Sequence, residues 1–438
     1  MYFLYRDWRK ASVYTFLVMC TFFFFGSFHD GVKHLLEDSI LTKYKVIIPF
    51  LMAFYVLLYF LIKKTSSRFH RLTGYLNVLL IVLIVWDLGQ WIFVKKTVSA
   101  TETSQLVYSV CDTCSKPDIY FIIADEYLGN RTLKEQFGFD NSDFENELKT
   151  RGFHIINNSR SNYNFTPYSI ASILNMDYLN GITKKSNDNK NRNICYSLIN
   201  HNALTQFISA QGYSFVNHSL FDFSGQPTEV NSMFFLTKEK LITHQTLLGR
   251  MDRDIRFNLV TRFKIQSEIS RVTMGTLENN QKLIEDTYTT LNSETATPRF
   301  VYTHLMMPHY PYYFNRLGRP FPLDSIVEGN QVNKHQYIEY LQYCNKTFLN
   351  FLDSLMLGRK KPPIIVFMGD HGFRHFKEPV NEAYQFLNLN AVYLPTKNYK
   401  GFYDDMSAVN QFRIIFNTQF RQSFPLLKDS TIYLKEYD

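Results

Sequence analysis

Acidic and imidazole side chains lie at the ends of three separate apolar runs in this sequence of 438 residues. They are Asp125 with Glu126, His304 with His309, and Asp370 with His371. The runs are short and apolar, which predicts that each is a buried strand. In parallel sheets, ligands bind beyond the carboxyl ends of the strands, so these side chains are expected at one site. Carboxylates and imidazoles gathered there suit Zn²⁺, Mn²⁺ or Mg²⁺, whereas Cu(I) prefers thiolates.

The hydroxyl of Thr166 is the side chain best placed to act as a nucleophile. Thr166 and Pro167 predict the N-cap and first turn of a helix, whose buried face is formed by Ile170, Ile173 and Leu174. At a helix N-terminus, backbone N–H groups and the helix dipole favour an anion. A threonine hydroxyl attacks poorly until a metal ion activates it. The pattern predicts attack on a phosphorus centre, although a helix cap alone would also explain a threonine here.

Several residues near these segments have roles that the sequence leaves open. Asp370 and the glycine after His371 are also typical of a turn that ends a strand. The other open assignments are the role of Glu126, His304 and His375 as site or structural residues, and Arg160 and Arg374 as partners of a phosphate oxyanion or as surface residues. Ser169 and Ser172 are rival hydroxyls inside the predicted helix, where packing is the ordinary role.

The part of the chain after residue 116 alternates between short apolar runs and amphipathic stretches. We predict strands at 118–124, 153–156, 213–216, 300–303, 364–368 and 391–394, and helices near 141–151, 200–211, 331–357 and 406–417. Strands separated by helices are typical of a mostly parallel sheet covered on both faces. The predicted fold class is therefore α/β. Residues 225–298 have no pattern that assigns their elements.

The first hundred residues contain three apolar stretches, at about 11–28, 46–62 and 72–94. Each is long enough to cross a hydrocarbon core of ~30 Å as a helix. The first has no small-residue cleavage site and two more follow it, so we interpret it as a retained helix and not as a signal peptide. The predicted domains are a membrane anchor at 1–96, a linker at 97–116 and a catalytic domain at 117–438.

Charge gives the orientation of this anchor. Of the net charge of +8, +7 lies in residues 1–96, and the basic residues concentrate before the first stretch and between the second and third. The positive-inside rule then predicts a cytoplasmic N-terminus and an exported C-terminal part. The nearly neutral C-terminal part argues against a nucleic acid partner. In an exported linker, the pair Cys111 and Cys114 favours a local disulfide over a metal motif.

Four segments, in their order along the chain, resemble the alkaline phosphatase superfamily, and in particular its membrane-anchored sulfatase-like branch. They are PDIYFIIADEYLG, SRSNYNFTPYSIASILNMDYL, FVYTHLMMPHYPYYF and PPIIVFMGDHG. Lipoteichoic acid synthases and phosphoethanolamine transferases belong to this branch. The resemblance implies that the three-helix anchor precedes an alkaline-phosphatase-like α/β/α domain with a mostly parallel central sheet. It also implies a multi-pass protein of the bacterial cytoplasmic (inner) membrane, with its catalytic domain periplasmic or extracellular.

Carried over by position, the resemblance implies that Asp125, Thr166, Asp370 and His371 bind one divalent metal ion. It implies that Thr166 is also the nucleophile and that His309 contacts the substrate or the leaving group. The implied activity is that of a membrane-bound phosphotransferase or phosphoesterase acting on a lipid or glycan phosphoester. The alternatives are a sulfatase-type hydrolase of sulfate esters and an inactive exported domain that binds a glycan or lipid. The sequence specifies neither the donor, the acceptor nor the oligomeric state.

The chain departs from the resembled family at the nucleophile. Sulfatases carry C/S-x-P-x-R, in which the Cys or Ser is converted to formylglycine. The segment that starts at Thr166 here is TPYSI, so it has neither the convertible residue nor the arginine. A threonine favours phosphoryl transfer over sulfate-ester hydrolysis, and a sulfatase-like fold does not by itself specify the reaction.

Overall fold

The computed structural model describes residues 2–36, 39–65, 69–93, 107–186, 188–230, 243, 245–252, 266–326, 330–357 and 361–436. The chain divides into two compact units, Met1–Ala100 with Leu236–Gln266 and Thr101–Phe235 with Ser267–Asp438. The boundaries of the predicted anchor, linker and catalytic domain stay a prediction. Residues 97–106 of that linker, and the end of the third predicted apolar stretch at Val94, lie outside the described residues.

The helices and strands are numbered in chain order. The helices are α1 (Tyr2–Tyr5), α2 (Trp8–Leu36), α3 (Tyr44–Lys64), α4 (His70–Phe93), α5 (Asn130–Phe137), α6 (Ser142–Thr150), α7 (Thr166–Asn175), α8 (Asn189–Asn200), α9 (Ala203–Ala210), α10 (Leu247–Met251), α11 (Gln266–Asn292), α12 (Lys334–Met356) and α13 (Gln411–Phe420). The strands are β1 (Ile119–Ala124), β2 (His154–Ile155), β3 (Ser214–His218), β4 (Arg299–Leu305), β5 (Ile364–Gly369) and β6 (Asn390–Tyr393).

The second unit is built on one six-stranded sheet with the order β2-β6-β5-β1-β4-β3. Strands β3, β4, β1 and β5 are parallel, whereas β6 is antiparallel to β5 and β2 is antiparallel to β6. Four of the six strands are parallel, as predicted for the centre of the sheet, and the antiparallel strands β6 and β2 at one edge make the sheet mixed. The chain between β5 and β6 contains only the short 3₁₀ turn Glu382–Gln385 and no crossover helix, so it re-enters the sheet in the opposite direction.

Helices cover both faces of this sheet, as the prediction of an α/β/α domain requires. Phe121 of β1 packs against Phe412 of α13 on one face, with 4.9 Å between the ring centroids. Phe367 of β5 packs against Phe348 of α12 at the same separation on the other face. In the register, Phe121 pairs with Val366, the neighbour of Phe367, and successive side chains of a strand point to opposite faces. Strands β1, β4 and β5 are buried along their whole length.

The six predicted strands are all present, with ends that differ by one or two residues from the prediction. The predicted helices correspond to α6, α9, α12 and α13. Helices α5, α8 and α11 are present as well, and α11 lies in the stretch that the sequence pattern left unassigned. Cys111 and Cys114 form a disulfide, as the sequence favours for this pair.

The first unit is helical, and two of its described helices are long and apolar enough to cross a membrane. They are Trp8–Lys33, within α2, and Tyr44–Lys64, which is α3. The third predicted span corresponds to α4, whose described apolar part, His70–Trp86, is shorter. The number of three spans is therefore not confirmed.

A distant piece of chain packs against α2 within the first unit. The N–H of Gly26 donates to the carbonyl oxygen of Gln245, at 2.7 Å. Arg250 of α10 forms an ion pair with Asp30, with Nη1 at 2.9 Å from Oδ1. Arg250 is buried, so loss of Asp30 would leave its charge without compensation. The sequence around residue 245 carries no pattern that predicts this contact.

Candidate active site

The order of the parallel strands brings three distant segments together. Strand β1 lies between β4 and β5, and its last residue, Ala124, pairs with Leu305 on one side and Gly369 on the other. The chain beyond each strand therefore emerges at one edge of the sheet. The backbone N–H of His309 donates to the carbonyl oxygen of Asp125, at 3.1 Å, which places the loop after β4 beside the end of β1.

Asp125, Asp370 and His371 form the first group at this edge. All three side chains are buried, and the atoms that they offer as ligands lie within 4.8 Å of one another. Each aspartate uses one oxygen within the protein. Oδ2 of Asp125 accepts from His304, and Oδ1 of Asp370 accepts from the N–H of Glu126. The other oxygens, Asp125 Oδ1 and Asp370 Oδ2, are buried without a hydrogen-bond partner among the described residues.

The protonation of His371 makes this group suitable for a cation. Its Nδ1–H donates to the carbonyl oxygen of Gly372, at 2.7 Å, which leaves a lone pair on Nε2. That Nε2 lies 3.4 Å from Asp370 Oδ2 and 3.2 Å from the hydroxyl oxygen of Thr166. The hydroxyl of Thr166 can donate to Nε2, whereas the buried oxygens Asp125 Oδ1 and Asp370 Oδ2 have no donor among the described residues, and a cation beside them would stabilise their charge. Two carboxylate oxygens, an imidazole nitrogen and a hydroxyl are a ligand set that fits a divalent metal ion.

Thr166 is the first residue of α7, and Phe165 occupies the N-cap position. The expectation that Thr166 is the N-cap is therefore wrong by one residue. The N–H groups of Tyr168 and Ser169 both donate to the carbonyl oxygen of Phe165, and Pro167 has none. The start of the helix thus offers an anion fewer backbone donors than the sequence pattern predicts. The Thr166 hydroxyl is not used as a cap and lies beside His371 instead.

Tyr302 and His304 support Asp125 from strand β4. His304 Nε2–H donates to Asp125 Oδ2, at 3.2 Å, and the hydroxyl of Tyr302 lies 2.9 Å from His304 Nδ1. All three side chains are buried. Since an ionised carboxylate only accepts, Nε2 must carry the proton, and the Tyr302 hydroxyl can then donate to Nδ1. Tyr302 and His304 share a face of β4 because they are two residues apart in the strand. This spacing is the sequence signal that links Tyr302 to the site.

Glu126, His309 and His375 form a second group of ligand-type side chains, also within 4.8 Å of one another. Glu126 is fully buried, and its Oε2 has no hydrogen-bond partner among the described residues. His309 Nδ1–H donates to the carbonyl oxygen of Tyr310. The structure therefore groups Glu126 and His375, whose roles the sequence left open, with His309, which also lines the cavity beside Thr166.

Burial and neighbouring charge shift several pKa values here. Burial alone would raise the pKa of Asp125, but the charge of His309 and the hydrogen bond from His304 hold it below its usual range. For Glu126, burial dominates and raises the pKa. Burial and the nearby charge of Arg374 lower the pKa of His375 to about 2, so its ring is neutral. An ionised Asp125 and a neutral His375 are the forms that bind metal ions.

Two glycines flank the pair Asp370 and His371 because other backbone segments pass very close. A Cβ at Gly369 would collide with the carbonyl oxygen of Tyr127, and one at Gly372 with that of Tyr384. These neighbours are backbone atoms and cannot move aside as a flexible side chain would. The tight packing fixes the chain on both sides of the two ligands.

A cavity of about 200 Å³ opens beside Thr166. Its lining is mostly aromatic and charged and comprises Asp125, Phe165, Thr166, Pro167, Tyr168, Ser186, Arg192, Tyr196, Met306, His309, Arg374 and Glu436. Of the two arginines that the sequence left open, Arg374 lines the cavity and Arg160 does not. The rival hydroxyls are used elsewhere: Ser169 donates to the carbonyl oxygen of Asp370 and Ser172 to that of Asp177. No local motif marks Arg192, Tyr196 or Glu436, which only the folding of the chain brings here.

A family model described as Sulfatase matches residues 150–428, which is more than half of the chain. The match includes Thr166, His309, Asp370 and His371, whereas Asp125 precedes it. No curated protein matches.

Among solved structures, the chain is similar to the C-terminal periplasmic domain of Escherichia coli EptC in complex with zinc, with a TM-score of 0.42, 10% identity, and coverage of 70% of this chain and 84% of that one. It is similar to the corresponding domain of the phosphoethanolamine transferase EptC of Campylobacter jejuni, with a TM-score of 0.43, 11% identity, and coverage of 74% and 96%. A third is the phosphonate monoester hydrolase of Agrobacterium radiobacter, with a TM-score of 0.42, 13% identity, and coverage of 70% and 74%.

The support of Asp125 by His304 and Tyr302 predicts an effect on metal affinity. We expect His304→Ala to raise the Kd for Zn²⁺ by about 10- to 100-fold, because Asp125 loses the donor that orients it. Tyr302→Phe removes only the hydroxyl that fixes the His304 ring, so its effect should be smaller. Calorimetric titration of the metal-stripped protein with Zn²⁺ measures both values.

Tyr213→Phe is the matched control, because the hydroxyl of this buried tyrosine donates to the carbonyl oxygen of Pro117, away from the site. Its Kd should equal that of the unchanged protein. An unaltered Kd in a folded His304→Ala protein would contradict the positioning role of His304.

Proposed function

The chain belongs to the sulfatase family, within the alkaline phosphatase superfamily, and on that premise we propose that it is a metal-dependent phosphotransferase or phosphoesterase with Thr166 as its nucleophile. A hydrolase or transferase activity follows from the family. The choice of phosphoester chemistry is our proposal, and its substrate would be a lipid or glycan phosphoester. The residue types at the nucleophile segment support it, because a threonine stands where formylglycine chemistry needs Cys or Ser.

One observation supports the proposal most. The hydroxyl oxygen of Thr166 lies 3.2 Å from His371 Nε2, at the wall of an open cavity and beside two buried carboxylate oxygens that no described residue satisfies. A divalent ion held by Asp125, Thr166, Asp370 and His371 would supply Lewis-acid stabilisation of negative charge on the reacting oxygens. The hydroxyl is thus placed where it can bind a metal ion and also reach a substrate in the cavity.

In the first step, Thr166 Oγ1 gives up its proton to solvent water in the open cavity and forms a bond to the phosphorus of a phosphodiester, and the bond from phosphorus to the leaving alcohol breaks. The leaving oxygen then needs a proton. His309 is placed to provide it, because it lines the same cavity and its Nδ1 is occupied by the Tyr310 carbonyl, so Nε2 is the nitrogen that exchanges a proton.

In the second step, an acceptor alcohol or water attacks the phosphothreonine and transfers its proton to His309. The bond between phosphorus and Thr166 Oγ1 breaks, and the threonine oxygen takes up a proton from solvent water. His309 and Thr166 then have the same protonation as before the first step. An alcohol as acceptor makes the enzyme a transferase, and water makes it a hydrolase.

We further propose that the first unit anchors the protein in the bacterial cytoplasmic membrane, with the catalytic unit exported. In α3, only 11% of the apolar window of Tyr44–Lys64 is buried inside the structure. An apolar helix that exposes most of its surface is stable in lipid and not in water. The third apolar stretch and the cytoplasmic N-terminus belong to this proposal, and the disulfide between Cys111 and Cys114 suits an exported environment.

The nucleophile assignment predicts the behaviour of variants at Thr166. Thr166→Val keeps the β-branched shape and removes the hydroxyl, so turnover of a phosphodiester should fall by at least about 10³-fold while the protein stays folded. Thr166→Ser keeps a nucleophilic oxygen and should retain measurable activity. A steady-state assay with bis(4-nitrophenyl) phosphate measures turnover, and intact-mass spectrometry should detect an adduct on Thr166.

Ser172→Ala is the control, because it removes a hydroxyl of the same helix that donates to the carbonyl oxygen of Asp177 and not into the cavity. This variant should leave turnover unchanged within about threefold. Full activity of Thr166→Val would exclude covalent catalysis by this residue. Turnover of sulfate esters but not of phosphate esters by the unchanged protein would replace the proposed reaction by sulfatase chemistry. An absence of any stoichiometric metal would favour the inactive binding domain.

The proposed topology predicts where fused reporters work. A reporter that is active only outside the cytoplasm should be active when fused after Lys96 and inactive when fused after Lys64, because basic loops are retained inside. A reporter that fluoresces only in the cytoplasm should give the opposite pattern and serves as the control. If the reporter that needs export were active after Lys64 and inactive after Lys96, the orientation would be the opposite of the proposed one.

A further inference from the structure

Two acidic residues, Asp125 and Glu436, and two arginines, Arg192 and Arg374, line the cavity next to Thr166. Asp125, Glu126 and Asp370 bury three carboxyl groups within one corner of the unit. A phosphoester is itself an anion, so an ionised carboxylate opposes its approach. A positive side chain that faces the substrate offsets this repulsion.

Helix α7 does not supply that positive group. Pro167 has no N–H group, and those of Tyr168 and Ser169 donate to the carbonyl oxygen of Phe165, so among the first four residues of the helix only Thr166 can offer a backbone N–H, which carries no net charge. In the sulfatase pattern C/S-x-P-x-R the fifth residue is an arginine. In this chain the fifth residue counted from Thr166 is Ile170, an apolar side chain that is fully buried in the core. The positive side chains at the cavity come from other elements, Arg192 from α8 and Arg374 from the loop after β5.

Arg374, on the loop after β5, is placed to supply the positive charge. Its guanidinium carbon lies 4.2 Å from the ring centroid of Phe165, the residue before Thr166. Its backbone N–H donates to Oε1 of Glu126, at 3.4 Å, which ties this loop to the carboxylate corner. The side chain lines the cavity together with Thr166 and His309.

The guanidinium of Arg374 is unusual in having no protein acceptor. Among the described residues it donates no hydrogen bond and forms no ion pair, and its Nε is buried without a partner. A guanidinium that is half-buried, stacked on an aromatic ring and left without an acceptor is arranged to receive an anion from outside the protein.

We propose that Arg374 binds the non-bridging oxygens of the phosphoryl group while Thr166 attacks it. This assignment rests on the proposed function, since it takes the substrate to be a phosphoester. Arg374 would stabilise the charge that develops on these oxygens, and its planar fork would orient the phosphorus toward Thr166. The stacking on Phe165 restricts the side chain before the substrate arrives, which reduces the entropy lost on binding.

A purely structural role is the alternative, in which Arg374 braces Phe165 against the loop that holds Glu126. Substrate-directed experiments distinguish the two roles. Arg160 is the matched control, because its Nε is also buried without a partner in the described chain, yet it does not line the cavity.

The test uses the full chain in detergent, loaded with the metal ion that gives the highest activity. Inorganic phosphate is the binding probe and bis(4-nitrophenyl) phosphate is the substrate. Arg374→Ala should raise the Kd for phosphate by at least about tenfold and lower kcat/KM by about 10²-fold. Arg374→Lys keeps the positive charge but loses the planar guanidinium. Its Kd and kcat/KM should lie between those of the unchanged protein and of Arg374→Ala. Added guanidinium ion should restore part of the activity of Arg374→Ala, which loss of a structural brace would not permit.

Arg160→Ala should match the unchanged protein in phosphate binding and turnover. Phosphate binding by folded Arg374→Ala with the original Kd would overturn the proposal, as would equal losses in the Arg160 and Arg374 variants. If Arg374→Ala melts at a lower temperature, the comparison is made with Arg374→Lys, and an unchanged Kd and kcat/KM in that protein would overturn the need for a fork. If the unchanged protein forms no adduct on Thr166 but still loses phosphate affinity on Arg374→Ala, the nucleophile assignment fails and that of Arg374 stands.

Discussion

The repulsion among buried carboxylates at the end of the central strands is the constraint on which the site depends. Asp125 and Asp370 each leave one oxygen without a partner among the described residues, and the lone pair of His371 Nε2 faces the same point. Burying such charges without compensation costs several kcal/mol per ion. A bound cation removes this cost. The parallel register of β4, β1 and β5 and the glycines that flank the ligands hold these atoms together, so metal binding and local stability are coupled.

The same constraint explains how the other residues of the site divide their roles. His304 and Tyr302 hold Asp125 from within the sheet, where they are shielded from solvent. Thr166 reaches the same point from a helix that begins beside it. His309 and Arg374 lie on loops at the cavity, where they can meet a substrate. In the proposed mechanism, residues inside the sheet position the metal ligands, and residues on the loops exchange protons and bind the charge of the substrate.

Much of this arrangement is predictable from sequence because it depends on local patterns. Buried strands are short apolar runs, and the residues directly after them must lie at the carboxyl edge, so Asp125, Asp370 and His371 could be brought together before the structure. The antiparallel direction of β6 could not be predicted, because it follows from the absence of a crossover helix in a long irregular connection. The N-cap is Phe165 and not the predicted Thr166, because residue preferences do not place a helix end to within one residue. Helix α11 and the contact of residue 245 with α2 depend on tertiary packing, and so does the grouping of Glu126, His309 and His375.

The central claim is that one divalent ion binds between Asp125, Thr166, Asp370 and His371. Anomalous diffraction from crystals of the full chain grown with Zn²⁺, with data collected on both sides of the zinc absorption edge, tests it most directly. The account predicts one dominant peak at about 2.0–2.2 Å from the ligand atoms of these four residues. A dominant peak between Glu126, His309 and His375, or no peak at the first group in a crystal of folded protein, would contradict it.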